Sequence, residues 1–160
     1  AAVVIGASYG VIAIVAVVAP TALVFVGFDI DPMLGSGDTW LFLARTLLAL
    51  VLWTLVGVGL GALIRNQVAA IVIVLAFTQV VEPILRLAGS FVGWVGDATR
   101  FLPGAASDAL VGASFYSAIA GAGGTGSGAL EWWQGGLVLL GFAAMFAVLA
   151  QLFSWRRDVD

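Results

Sequence analysis

The chain has 160 residues, 62% of them hydrophobic and only 9% charged, with a mean hydropathy of +1.17 and a formal net charge of −3. Soluble domains carry about a quarter charged residues, so lipid has to be the solvent for most of these apolar side chains. Histidine and cysteine are absent and the six basic residues are all arginine, which excludes disulfides, thiol and imidazole chemistry, zinc clusters and a nucleic-acid footprint.

A helix rises about 1.5 Å per residue, so about 20 apolar residues cross the ~30 Å hydrocarbon core. The first such run covers residues 2–28, with Pro20 placed to kink it. It lacks a basic leader and a small-residue cleavage site, and so reads as a mature span. A short acidic turn follows, from Asp29 to Asp38. Two carboxylates there, Asp29 and Asp31, sit among Pro and Gly and point to turn chemistry rather than a cation site. The second span covers 40–64, and Arg65-Asn66-Gln67 forms a tight hairpin into a third over 68–87.

Residues 89–131 are too polar and too broken by Gly and Pro to span. Two short helices are expected within them, Phe91–Phe101 and Ala105–Ile119, with Pro103 starting the second. A glycine-rich linker, Gly121–Gly128, leads to a last span over 132–155. The expected fold class is therefore an all-α integral membrane protein in one domain, 1–160. It has four transmembrane helices, with two short re-entrant or interfacial helices between the third and fourth.

Trp155-Arg156-Arg157 marks the end of the last span as cytoplasmic. Alternation then puts the hairpin inside, and the acidic turn and the insert outside. Trp40, Trp94, Trp132 and Trp133 supply an outer aromatic belt.

Polar residues inside spans are rare and informative. Gln79, Glu82 and Arg86 stand at i, i+3 and i+7 of the third span, on one helical face. Glu82 and Arg86 are an acid-to-base pair in the favourable order. Folding the hairpin about Asn66 brings Arg45 level with Arg86, which predicts a cluster of Arg45, Glu82 and Arg86. Such a cluster either lines a polar route or forms a neutralised clamp with Arg86 snorkelling outward. The clamp is favoured, because all three residues fall in the outer third.

Gly6-x-x-x-Gly10 and Gly57-x-x-x-Gly61 permit close helix approach, and packing within the chain is a simpler use for them than a subunit contact. Gly121–Gly126 fits a dinucleotide-type glycine pattern but follows no strand, and no lysine exists for a phosphate loop. This chain is expected to bind no ATP.

The run from Gly57 through Arg65-Asn66-Gln67-Val-Ala-Ala-Ile, followed by Val80-Val-Glu-Pro-Ile-Leu85, resembles bacterial type-2 ABC transporter permeases. Phe101-Leu-Pro-Gly-Ala-Ala-Ser-Asp-Ala-Leu110 and the closing Trp155-Arg-Arg-Asp-Val159 look like the same family. The likeness covers most of residues 40–160, and its hairpin run is the more specific part.

The family has six spans and a re-entrant pair before the last, so this chain is expected to correspond to the last four. The family's first two spans and its coupling helix have no counterpart in it. The resemblance implies a membrane subunit of an exporter in the cell membrane, working as a homo- or heterodimer with ATPase subunits that carry ATP and magnesium. It implies that Gln79 and Glu82 face the substrate path, with Arg86 and Arg45 beside them. Arg65, Asn66 and Gln67 would touch the ATPase. Two other classes fit the hydropathy: a non-transporting membrane scaffold, and a small self-contained channel or secondary transporter.

Overall fold

The computed structural model describes residues 1–64, 66–113 and 130–155. Its helices are α1 (Ala2–Gly27), α2 (Gly37–Leu63), α3 (Gln67–Ala76), α4 (Glu82–Phe91), α5 (Gly93–Thr99), α6 (Pro103–Val111) and α7 (Trp132–Trp155), and a π-helical turn, Phe77–Val81, joins α3 to α4. Among the described residues there are no strands. Four helices are long and apolar enough to cross a membrane: Ala2–Gly27, Gly37–Leu63, Gln67–Gly89 and Trp132–Leu152. The protein is thus an all-α, multi-pass membrane protein. Pro20 is accommodated inside α1 without ending it.

Local chemistry sets the ends of these helices. Ser36 caps α2 by accepting from the Thr39 amide at 3.3 Å, and Asp31 Oδ1 accepts from the Met33 amide at 2.9 Å to shape the preceding turn. Asn66 caps α3, its Oδ1 accepting from Val68 and Ala69. That single side chain lets the chain reverse between two spans without orphaning the first amides of the second.

Side-chain contacts fix the directions. Gly6 lies over Thr54 and Gly10 over Leu47 and Leu50, so α1 runs antiparallel to α2 and its glycines serve packing within the chain. Arg45 stacks on Trp132 and Gly59 meets Phe146 and Ala147, so α7 runs parallel to α2. The acidic turn and the start of α7 therefore share one end of the bundle, and the 64–67 hairpin lies at the other.

From the first end α5 turns back alongside α4, with Gly89 against Gly96 and Thr99. Then α6 returns, wedged between α2 and α7. Trp53 Nε1 donates to Ser107 Oγ at 3.1 Å. The core is Ala49, Leu52, Ala106, Leu110 and Leu139. A β-carbon on Gly135 would collide with the Ala106 carbonyl, so only glycine lets α7 approach α6 this closely.

Both short helices are shorter than expected. Val92 adopts extended backbone and separates α4 from α5, leaving Phe91 as the last residue of α4. Gly112 at φ 82 ends α6 in a left-handed turn, where the expectation ran on to Ile119. Residues 114–129, which include the glycine-rich linker, lie outside the described residues, as do 156–160 and Arg65.

Candidate functional site: a buried carboxylate at a re-entrant helix

The first turn of α6 has a capping problem. Its N-cap is Leu102, which has no oxygen to offer, and its first helical residue is Pro103, which has no N–H. Two amides, those of Gly104 and Ala105, are left facing the interior of a membrane protein. Glu82 supplies the missing cap from the third span. Its carboxylate accepts from Gly104 N at 3.1 Å and from Ala105 N at 2.7 Å. The negative charge also sits where the helix dipole is positive. A β-carbon at Gly104 would overlap this carboxylate, so glycine at that position is a condition of the contact.

Glu82 is 2% exposed, and a charge so buried needs a counter-charge. Arg86, one turn on, provides it: Nε donates to Oε1 at 3.0 Å and Nη2 to the same oxygen at 2.6 Å. The third guanidinium nitrogen, Nη1, reaches Asp108 Oδ2 at 2.7 Å. One arginine therefore ties an acid on the third span to an acid on α6. Charge-assisted hydrogen bonds contribute about 1.5–3 kcal/mol each, and removing one member of a buried pair costs about 3–5 kcal/mol.

Pro83 explains the turn beside the clamp. It cannot donate to the Gln79 carbonyl and its ring would press on that carbonyl in a regular helix. The chain widens instead into the π turn Phe77–Val81, in which Glu82 N donates to Phe77 O.

That widening corrects the expected face. Glu82 is buried and Arg86 partly buried, while Gln79, inside the π turn, is exposed. The expected cluster of Arg45, Glu82 and Arg86 does not form either. Helix α6 meets both α2 and Glu82, and Asp108 takes the place expected for Arg45. Arg45 lies over Trp132 at 5.0 Å with a buried Nε that has no partner. Asn66 is committed to capping, Gln67 is exposed, and Arg65 lies outside the described residues.

In comparisons with known proteins, no family model, no curated protein and no solved structure matches this chain.

Asp108 and Gly104 are the members of the site that sequence reasoning missed. A signal existed: a helix starting at Leu-Pro-Gly in an apolar protein has no cap of its own, so an acid elsewhere must lend one.

Proposed function

We propose that the chain is the transmembrane permease part of an ATP-driven exporter in the cell membrane, with the α5–α6 end outside and the carboxyl end in the cytoplasm. The observation that carries this reading is the pair of short helices, α5 and α6, between the third and last spans, with α6 capped by Glu82. It is the arrangement that the resemblance to type-2 permeases implies. In this reading the clamp holds the outer vestibule rigid. Exposed Gln79, on the π turn, is the polar group offered to cargo, and the 65–67 hairpin touches the ATPase.

A self-contained ion-coupled carrier is the weaker reading. It needs an acid free to exchange its ion, and Glu82 is held by two amides and Arg86.

The test is purification of the tagged chain from its native membrane in mild detergent. A nucleotide-binding subunit in stoichiometric amount, with ATPase activity that Asn66→Asp weakens, is the expected result. A folded, intact chain that repeatedly emerges with no nucleotide-binding partner would sink the exporter reading.

A further inference from the structure

Arg45 stands out once the clamp is understood. It lies inside a membrane-spanning helix, yet among the described residues no carboxylate lies within ion-pairing distance of it. Its Nε is buried and unpartnered. Three acids belong to the elements around it. Asp108 of α6 is committed to Arg86, Glu131 ahead of α7 makes no ion pair with Arg45, and Asp38 lies two turns back along α2.

What Arg45 does have is an aromatic floor. The guanidinium carbon lies 5.0 Å from the Trp132 ring centroid. A ring face beneath the guanidinium attracts the cation without using any of its N–H donors. On the α6 side the described neighbour is Gly112, where a β-carbon would stand 3.7 Å from Arg45 Nη1, so that residue itself puts no side chain against the guanidinium. Depth points the same way. Trp132 and Trp133 are both half-exposed at the start of α7, and tryptophans of this type sit at the headgroup level of a bilayer. Arg45 is stacked on one of them, so its charge lies where phosphates lie.

We infer that Arg45, floored by Trp132 and bordered by the glycine at 112, is a binding site for one phosphate-type anion. The planar fork matches two phosphate oxygens at once, a geometry lysine lacks. The anion is either the headgroup of an acidic phospholipid or free phosphate. Arg100 is the built-in contrast: it shares the ring, that of Phe101, and the buried Nε without a partner, but it has Asp97 at 3.6 Å where Arg45 has no carboxylate.

Native mass spectrometry of the detergent-purified full chain tests this, with phosphatidylglycerol, a diacylglycerol of the same acyl chains and inorganic phosphate as probes. The wild type is expected to retain one phosphatidylglycerol about tenfold more tightly than the diacylglycerol. Arg45→Gln should lose about that factor, Arg45→Lys about half of it on a logarithmic scale, and Arg100→Gln none. Displacement of the lipid by millimolar phosphate identifies a site for the free anion, and resistance to it identifies a headgroup site. Equal retention of the two lipids by the wild type overturns the proposal, and this arm needs no variant to fold. So does equal weakening by Arg45→Gln and Arg100→Gln, which would reduce the effect to bulk charge.

Discussion

The two halves of the third span are held in opposite ways. Beyond the π turn, α4 is tied to α6 by Glu82, Arg86 and Asp108, and it packs on α5 through Gly89. Before that turn, α3 buries only Ala70, and its cleft against α2 is lined by Gly57, Leu60, Gly61 and Ile71, with open space over both glycines. In a bilayer, apolar contact between helices gains little over contact with lipid tails. Position is therefore set where polar groups are satisfied, and the half without such groups is left free to change neighbours. The boundary falls where Pro83 and the π turn already disturb the backbone ladder of this span.

Four substitutions break or sharpen this contrast. The largest effect belongs to Glu82→Ala, which leaves two α6 amides uncapped and Arg86 with Asp108 as its remaining acid. It should destabilise the protein by about 3–5 kcal/mol, read as a lowered thermal midpoint in detergent. Next comes Gly104→Ala, whose methyl displaces the carboxylate and should cost about 1–3 kcal/mol by the same assay.

In the other half the effects are smaller. Asn66→Ala removes the cap of α3 and should cost about 1 kcal/mol. Gly57→Ala fills open space inside a helix and should stabilise by about 0.5–1 kcal/mol. If Gly57→Ala destabilises as much as Gly104→Ala, the cleft is not open and the contrast between the halves fails.

Much of the fold was legible beforehand. The spans expected over 2–28, 40–64, 68–87 and 132–155 lie within a few residues of the helices observed, because about twenty uncharged residues in lipid have one stable backbone solution. The reversal at Asn66 and the start of α6 at Pro103 were also readable, since each rests on a local rule about caps. The site was less so. Placing Gln79 on the face of Glu82 assumed an unbroken 3.6-residue period, which Pro83 upsets through the π turn. Placing Arg45 beside Arg86 assumed that consecutive spans lie against each other along their length, whereas α6 enters at that level. Pairing of Glu82 with amides 22 and 23 residues away depends on the path of the insert, and no periodicity encodes that path.

The most direct measurement is residue-level amide hydrogen exchange at Gly104 and Ala105, compared between the wild type and Glu82→Gln in the same detergent. If Glu82 caps α6, both amides exchange slowly in the wild type and at least about tenfold faster in the variant, while amides in the middle of α2 are unchanged. Equal exchange at Gly104 and Ala105 in the two proteins would contradict the clamp.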